Sequence, residues 1–428
     1  MKIAFFLATV LLLSPAVCIA AILDGHIIDA STGEPVPDSV ITFGAVAVRG
    51  DSAGDFKIST SSSSLKPTIL ARARGYRAAS FTSAAAAQSK NVFALVPFTP
   101  HALYLSVYGI ASKPLREGAF DIIRNGGANA LVIDVKSDRG LLTYPSGIPL
   151  ALTTGARKLT LVPSLREVVD NAHQQGIYMI ARVVTFKDAS LGTARPDLAV
   201  HLANGSLFRD REGLTWTDPY QAEVRAYNIS IAVEAAKAGF DEVQFDYVRF
   251  PDASAKLMFS GPANESGRIN VLIKLLAEAR FALIPYNVFE AVDIFGYVAW
   301  NLNDTGIGQQ LESLVNLVDY LCPMLYPSGF RFGIPRQKSS MATNEDIYDI
   351  IRLTLENCVR RTGANPKKFR PRLQAFRDYA FGGKIFGPGE VDAQIRGAYD
   401  AGSDGWILWN RHNRYGTVGL SGIAKSKP

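Results

Sequence analysis

The chain contains few of the residues that build disulfide frameworks and metal centres. Its 428 residues include three cysteines and five histidines. So few cysteines exclude a disulfide-dense scaffold, and we expect Cys322 and Cys358 to be buried free thiols rather than a disulfide. His101, His173 and His201 lack the spacing of metal ligands. The sequence therefore predicts neither a metal nor a cofactor.

Basic runs are absent, and so are membrane-length hydrophobic runs after the N-terminal segment. The formal net charge is +6, but lysines and arginines are scattered along the chain. This distribution gives no support for nucleic-acid binding. No later run reaches the roughly 18 apolar residues of a membrane span. The hydrophobic content of 48% and charged content of 20% are typical of a globular protein.

The first 20 residues have the pattern of a secretory signal peptide. Lys2 precedes an apolar run over residues 3–13, and small residues follow up to Ala20. We expect cleavage after Ala20 and a secreted or periplasmic location. Lipidation of Cys18 is the less favoured alternative, because the residues before it match a lipidation site poorly.

Residues 21–98 consist of short alternating segments separated by turn residues. Segments 39–43 and 55–58, with a glycine-containing turn between them, are examples. This spacing predicts a small β-sandwich. The unit resembles carboxypeptidase regulatory-like domains, which have a transthyretin-like sandwich fold, and this resemblance implies an accessory role. The matching residues are Gly25, 32–37, 53–56 and 73–76.

From residue 102 to residue 415, eight apolar runs alternate with amphipathic helical stretches. Two of the helical stretches end at Gly176 and Gly239, as expected of C-cap glycines. The pattern predicts an α/β fold, namely a (β/α)8 TIM barrel. A doubly wound open sheet is the alternative, but no glycine-rich dinucleotide turn follows the first run. The runs are 103–110, 130–135, 177–185, 243–250, 289–298, 318–326, 372–376 and 405–410.

The fourth run carries the strongest candidate for a catalytic residue. It reads as a buried strand, yet it contains Gln244, Asp246 and Arg249. A buried carboxylate costs several kcal/mol unless it is paired or faces water at the strand end. Barrel enzymes place their active sites at the C-terminal strand ends, so Asp246 is a catalytic candidate. Asp293 on the next strand could converge with it and complete the carboxylate pair that glycoside hydrolysis needs.

Other charged residues near the predicted strand ends are candidates for substrate binding. Strand alternation predicts that Asp134 and Lys136 share one face, and a buried ion pair is their structural alternative. Arg182 could keep a neighbouring carboxylate ionised through charge-assisted hydrogen bonds. An arginine is also a common filler of barrel layers, and Asp246 itself could be only the structural partner of such a cation.

Aromatic and amide side chains complete the set of candidate substrate-binding residues. Trp216, Tyr326 and Trp409 offer flat apolar faces on which sugar rings could stack. Gln244 and Gln374 add neutral polar groups on strands four and seven. Packing in the core is the structural alternative for Trp409.

The stretch 102–415 resembles a family of glycoside-hydrolase-like barrels that is distantly related in layout to the α-amylase-like barrels. The matching stretches are 130–140, 180–188, 216–219, 239–251, 292–296 and 322–328. The resemblance implies that Asp246 on strand four is the nucleophile or base and that the strand-five position is the acid. The chain departs from the amylase pattern in having Asp293 where a glutamate is usual and Gln244 where an arginine is usual.

The leading hypothesis is an exported glycoside hydrolase that cleaves O-glycosidic bonds of a polysaccharide with a carboxylate pair. The alternative is a non-catalytic carbohydrate-binding or cell-envelope scaffold protein on the same barrel. That alternative predicts that Asp246 and Asp293 are far apart or buried in ion pairs. A lyase or deacetylase is less favoured, because a deacetylase would normally need a His/Asp metal cluster.

Overall fold

The computed structural model describes residues 20–61, 68–82, 91–335, 343–416 and Leu420. The predicted signal peptide therefore lies outside the described residues, apart from Ala20.

The described residues of the N-terminal unit form seven strands in two sheets that pack face to face. The sheet orders are β4-β1-β7 and β3-β2-β5-β6. Ile27 and Phe93 from the first sheet and Ile41 and Ile69 from the second share one apolar core, so the predicted β-sandwich is confirmed. The strands are β1 (Ala20–Asp29), β2 (Val40–Phe43), β3 (Val46–Arg49), β4 (Asp55–Ser61), β5 (Thr68–Arg72), β6 (Ala79–Thr82) and β7 (Asn91–Leu95).

The second unit is a closed barrel of eight parallel strands, as predicted. Neighbouring strands follow the order β8-β9-β10-β12-β14-β15-β16-β17, and the last pairs with the first. A short antiparallel pair, β11 with β13, lies in the loops outside the barrel. The strands are β8 (His101–Leu105), β9 (Ala130–Lys136), β10 (Tyr178–Val184), β11 (His201–Leu202), β12 (Glu242–Asp246), β13 (Leu257–Met258), β14 (Phe289–Phe295), β15 (Tyr320–Met324), β16 (Arg372–Gln374) and β17 (Trp406–Trp409).

Each predicted run overlaps one barrel strand. Three strands, β8, β9 and β12, extend past their run by one or two residues, and several strands end earlier than predicted. The first strand stops at Leu105 because the Ser106 side chain caps a helix that follows at once. The fourth strand stops at Asp246, because Tyr247 adopts a left-handed conformation with φ of 53°. The early stop places Asp246 at the end of its strand rather than in the middle.

Ten α-helices are described. Helix α6 ends at Gly239 in a left-handed conformation, as predicted, and α9 begins with a capping box formed by Thr343 and Asp346. The helices are α1 (Val107–Ala111), α2 (Lys113–Arg124), α3 (Pro149–Thr153), α4 (Leu165–His173), α5 (Ala189–Ala194), α6 (Ala222–Ala238), α7 (Glu265–Leu283), α8 (Leu311–Leu314), α9 (Asn344–Thr362) and α10 (Pro388–Asp400). No helix in the described part of the chain is long and apolar enough to cross a membrane.

Apolar packing is divided between the barrel interior and the layer between strands and helices. Val132, Ile180, Ala291 and Cys322 pack inside the barrel, where side chains from all strands meet. The larger core lies outside the strands, against the helices. Cys322 and Cys358 are both buried and free, as predicted.

The sandwich contacts the end of the barrel where the strands begin. Arg72 donates from Nη1 to Asn287 Oδ1 at 2.6 Å and from Nη2 to Asp319 Oδ2 at 3.2 Å. Asn287 precedes β14 and Asp319 precedes β15. The sandwich therefore contacts the end of the barrel where the strands begin. This contact does not cover the C-terminal ends of the strands.

Candidate active site

Asp246 is held at the C-terminal end of β12 by an arginine on the neighbouring strand. Arg182 on β10 donates from Nε and Nη2 to Asp246 Oδ2 at 2.9 and 2.6 Å. The other carboxylate oxygen, Oδ1, accepts the backbone N–H of Tyr247 at 2.6 Å. Both oxygens are thus fixed, and the left-handed φ of Tyr247 is part of that arrangement. Backbone strain of this kind is often found at functional sites.

Asp293 on β14 shares a cation with Asp246. Arg372 Nη1 donates to Asp246 Oδ2 at 3.2 Å and also makes a very short contact with Asp293 Oδ2. Two oxygens that accept hydrogen bonds from the same nitrogen lie no more than about 6 Å apart, which is twice a hydrogen-bond length. The two carboxyl groups therefore converge at adjacent strand ends.

Asp134 is a third carboxyl group in the same place. Its Oδ1 accepts from Arg182 Nη1 at 2.6 Å, and its Oδ2 accepts from the Tyr104 hydroxyl at 2.7 Å. We call the six side chains that meet here the upper cluster. They are Tyr104, Asp134, Arg182, Asp246, Asp293 and Arg372.

Only part of the upper cluster reaches solvent. The side chains of Asp134, Arg182 and Asp246 are 5%, 6% and 4% exposed, whereas Asp293 and Arg372 are fully covered. A substrate that approaches from the C-terminal end of the barrel therefore meets Asp134, Arg182 and Asp246 before it meets Asp293.

Burial and the two arginines shift the pKa values of the two converging carboxyl groups in opposite directions. Burial by itself raises the pKa of Asp246, but the nearby charges of Arg182 and Arg372 outweigh it and lower that pKa to about 2. Burial raises the pKa of Asp293 well above its usual value, because Arg372 offsets burial only in part and ionised Asp246 adds repulsion. The site therefore pairs an ionised carboxylate with a carboxyl group that favours its proton.

The pKa of Asp134 is also raised. Burial is the main cause, and the Arg182 charge and the Tyr104 hydroxyl offset it only in part. The pKa of Asp134 is thus shifted in the same direction as that of Asp293, and unlike Asp293 its side chain is 5% exposed.

Lys136 does not join the upper cluster, so the prediction that it shares a face with Asp134 was wrong. The register shifts between β9 and β10, where Asp134 pairs with Arg182 but Lys136 pairs with Val183. This irregularity breaks the alternation of side chains. Lys136 Nζ instead contacts Asn228 Oδ1 on α6 and Asp188 Oδ2, each at 2.8 Å. Lys136 therefore forms the buried ion pair that was its structural alternative.

Trp216, Gln244 and Gln374 are all buried beside other protein groups. Trp216 is 2% exposed, and its Nε1 donates to Asp210 Oδ2 at 3.1 Å. Gln244 lies one layer below Asp246, with its Nε2 3.1 Å from the sulfur of Cys322. Gln374 Nε2 donates to the Ser328 hydroxyl at 2.6 Å. Their described contacts position loops and strands, and their roles toward a substrate stay predictions.

Trp409 and Tyr326 are half-buried and lie beside the upper cluster. The Trp409 ring stacks on Tyr104 with centroids 3.6 Å apart, and the Arg372 guanidinium lies 4.0 Å from its centroid. Tyr326 packs against Phe376 with ring centroids 5.3 Å apart. Both aromatic side chains thus connect the carboxyl groups to the surface beside them.

A surface cavity of about 770 Å³ opens at the C-terminal ends of β16 and β17. We call it the β16–β17 cleft. Three aromatic and three arginine side chains are among its lining residues, namely Phe376, Tyr379, Trp409, Arg377, Arg411 and Arg414. Trp409 lines this cleft and also packs against Tyr104 and Arg372, so the cleft borders the upper cluster.

Sequence reasoning missed two members of the upper cluster. Arg372 lies two residues before Gln374 on β16. Strand alternation puts both side chains on the same face, and Gln374 was already a candidate, so Arg372 could have been found from this spacing. Tyr104 lies in the apolar first strand, where nothing in the sequence distinguishes it from core. Among the described residues, no group of three or more His, Cys, Asp and Glu side chains is arranged to hold a metal ion.

Solved structures with a similar fold include glycoside hydrolases. The glycoside hydrolase domain of PgaB (BpsB) from Bordetella bronchiseptica is 14% identical and covers 74% of this chain and 95% of its own, with a TM-score of 0.50. A class V chitinase from Pseudomonas fluorescens Pf-5 is 14% identical and covers 77% and 100%, with a TM-score of 0.46. At this identity, the likeness to the PgaB domain is one of fold.

A hypothetical protein from Ruminiclostridium thermocellum is more similar in sequence. It is 36% identical over 45% of this chain and 96% of its own, with a TM-score of 0.39. No curated protein matches the chain at a significant level.

A protein-family model matches residues 102–415, which is the part of the chain that forms the barrel. The description of that family is "Putative glycosyl hydrolase domain". Since the match covers well over half of the chain, the chain belongs to this glycosyl hydrolase family.

Proposed function

We propose that the protein is an exported glycoside hydrolase that cleaves O-glycosidic bonds of a polysaccharide. Asp246 is the nucleophile or base, and Asp293 is the proton donor. The observation that carries this proposal is the pair of carboxyl groups at adjacent strand ends, one with a lowered pKa and one with a raised pKa. Glycoside hydrolysis needs such a division of roles.

The short separation of the two carboxyl groups favours a retaining mechanism. Retaining enzymes hold their carboxyl groups about 5–5.5 Å apart, and inverting enzymes hold them about 6.5–9.5 Å apart to admit a water molecule. In the proposed reaction, Asp246 attacks the anomeric carbon while Asp293 protonates the departing oxygen. Water then hydrolyses the glycosyl-enzyme bond, with Asp293 taking its proton. A product with inverted anomeric configuration by proton NMR would contradict this mechanism.

The cations of the upper cluster support both steps. Arg182 and Arg372 keep Asp246 ionised, which a nucleophile requires. Trp409 lies half-buried beside the carboxyl groups, and Tyr326 follows β15, the strand next to the one that carries Asp293. A sugar ring bound against Trp409 would lie close to Asp246.

The other parts of the proposal concern the N-terminal region. We propose that residues 1–20 are a signal peptide that directs the protein to the periplasm or the medium. Residues 21–98 form an accessory unit of the carboxypeptidase regulatory-like type, and residues 102–415 carry the chemistry. N-terminal sequencing of the exported protein would contradict the first part if residues 1–20 were retained.

A non-catalytic carbohydrate-binding or scaffold protein is the second candidate. One observation favours it, namely that Asp293 is fully covered and bound to Arg372. A carboxyl group locked in this way is also what a purely structural ion pair looks like. This candidate predicts glycan binding without turnover.

Product release separates the two candidates. The purified protein is incubated with a panel of envelope and extracellular polysaccharides, and reducing ends are measured alongside Asp246→Asn. We expect release by the natural protein and a loss of about a thousandfold or more in the variant. Binding without product, or equal activity of the variant, would reject the proposed mechanism.

A further inference from the structure

The β16–β17 cleft has a composition that a neutral sugar site does not need. Arg377, Arg411 and Arg414 all line it and are all exposed. None of them forms an ion pair with a carboxylate in the described part of the chain, and no carboxylate is among the residues that line the cleft. The cleft thus presents three uncompensated positive charges beside an aromatic surface.

The carboxylate nearest in sequence is turned away from the cleft and used elsewhere. Asp378 is 4% exposed and accepts the backbone N–H groups of Ala380, Phe381 and Gly383 and the hydroxyl of Ser328. These bonds fold the loop that follows β16. Because these bonds hold the Asp378 carboxylate, it forms no ion pair with Arg377 among the described contacts, and Arg377 Nε donates instead to the Gly383 carbonyl at 2.8 Å.

The other two arginines lie on a loop that buried asparagines hold in place. Asn410 Nδ2 donates to the carbonyl oxygens of Ala375 and Arg414 at 2.8 and 2.7 Å. Asn413 has a left-handed φ of 57°, and its Oδ1 accepts from the Ser106 hydroxyl at 2.7 Å. The backbone that carries Arg411 and Arg414 is therefore fixed relative to β17, and little ordering of that backbone is needed on binding.

An aromatic surface runs through the same cleft toward the upper cluster. Phe376 and Tyr379 lie parallel, with centroids 6.2 Å apart, and Tyr379 is 67% exposed. Trp409 extends this surface to Asp246 through its contacts with Tyr104 and Arg372. Flat apolar faces of this kind suit sugar rings, and guanidinium groups suit carboxylates and other oxyanions.

We propose that the β16–β17 cleft binds a saccharide chain that carries negative charges, and that the substrate class is therefore an anionic polysaccharide. The sugar rings stack on Tyr379 and contact Trp409, and their anionic groups pair with Arg377, Arg411 and Arg414. This inference rests on the proposed function for its link to cleavage, but binding is tested without turnover. Sugar carboxylates and sulfate esters share this recognition chemistry.

Paired glycans that differ only in charge test the proposal. The full-length Asp246→Asn variant is titrated calorimetrically with polyuronate oligosaccharides of several linkages and with the same oligosaccharides after methyl esterification, which removes the charge. Sulfated galactan oligosaccharides and their desulfated forms separate sulfate from carboxylate recognition. We expect at least tenfold tighter binding of a charged member than of its neutral counterpart, and weaker binding as salt rises.

Charge-matched variants show whether the arginines of the cleft are responsible for binding the charged oligosaccharides. The triple change Arg377→Gln, Arg411→Gln and Arg414→Gln should weaken binding of the charged oligosaccharide at least tenfold. The control replaces three exposed arginines outside the cleft, Arg124, Arg211 and Arg396, with glutamine and should bind as before. Equal binding of charged and neutral members, no binding of any charged member, or equal loss in the two triple variants would overturn the inference.

These outcomes also separate the inference from the proposed function. Binding of charged oligosaccharides by a protein that releases no product would reject hydrolysis and leave the cleft assignment intact. Release of product from neutral polysaccharides alone would leave hydrolysis intact and reject the anionic substrate class.

Discussion

The two ends of the barrel both contain a cluster of buried charges, and the two clusters differ in exposure. At the end where the strands begin, Arg370 donates to Glu242 Oε2 at 2.6 Å and packs 3.8 Å from the centre of the Tyr320 ring. We call this group, with Tyr178 and Asp404, the lower cluster. Arg370 and Glu242 have no exposed side-chain surface at all, whereas Asp134, Arg182 and Asp246 reach solvent beside an aromatic cleft.

The comparison shows that buried ion pairs alone do not identify an active site. Both clusters combine arginines with carboxylates, and burial is the main influence that raises the pKa of Glu242 as well as that of Asp293. What differs is position and exposure. The upper cluster lies at the C-terminal strand ends, where barrel enzymes bind their substrates, and three of its side chains are 4–6% exposed.

The largest expected effect concerns Asp293, the proposed proton donor of the upper cluster. Asp293→Asn should lower kcat for a glycoside with a poor leaving group by about 10²–10⁴-fold, the range for loss of a general acid. A glycoside with an acidic aryl leaving group needs no proton, so its kcat should fall much less. Steady-state kinetics on both substrates gives the answer.

Asp134→Asn is the matched comparison for that experiment. We expect it to lower the activity toward both substrates by similar factors, because Asp134 would contact the substrate without protonating it. If Asp134→Asn shows the leaving-group dependence and Asp293→Asn does not, then Asp134 is the proton donor and Asp293 is a structural partner of Arg372.

Substitutions in the lower cluster should change the stability of the protein rather than its catalytic rate. Arg370→Ala leaves Glu242 buried without its cation, and breaking a buried pair in this way costs about 3–5 kcal/mol. Urea denaturation measures the loss in the free energy of unfolding. Adding Glu242→Gln to Arg370→Ala should restore part of that loss, because it removes the uncompensated charge. A double variant no more stable than Arg370→Ala would contradict the assignment.

Glu290 should make the stability of the protein fall as the pH rises. It lies beside Arg280 near the contact with the sandwich, and burial raises its pKa from 4.5 to about 8, although Arg280 opposes this. Between these two values the folded state holds a proton that the unfolded state has lost. Stability therefore falls by up to about 1.4 kcal/mol per pH unit between pH 4.5 and 8.

The variant Glu290→Gln removes this titration and keeps the side-chain shape. Its melting temperature should vary less between pH 5 and 8 than that of the natural protein. An unchanged pH dependence would show that other groups dominate this range.

The smallest expected effect is on substrate affinity at the edge of the upper cluster. Trp409→Ala removes an aromatic contact worth about 0.5–1.5 kcal/mol beyond the area that it buries, so KM should rise about twofold to tenfold. Trp406→Ala is the matched control at the other end of β17, where the side chain is fully buried. It should lower stability by about 3–5 kcal/mol. Equal KM values for the natural protein and Trp409→Ala would contradict a stacking role.

Much of the fold and part of the candidate site could be predicted from the sequence. Every barrel strand overlaps a predicted run, because a strand buried on both sides leaves a continuous apolar run. Asp246, Asp293 and Arg182 could be identified because charge inside such a run is unusual. Arg372 could have been found in the same way, from its spacing to Gln374.

Lys136 and Trp216 show where the sequence was not sufficient. A single register shift between β9 and β10 turned Lys136 toward α6, and the sequence contains no marker of that shift. Trp216 is covered by Tyr247 and Arg249, which come from another loop. Whether an aromatic side chain is open to a sugar depends on such distant neighbours.

The sequence by itself determined the order of the elements, the closed barrel and the presence of a carboxylate at the end of its fourth strand. These follow from local patterns of apolar and polar residues. Only the tertiary structure decided which charges meet, because Arg182, Asp246 and Arg372 come from three strands spread over about half of the chain. It also decided that Asp246 is ionised and Asp293 favours its proton, since a pKa depends on burial and on charges a few ångströms away rather than on neighbours in sequence.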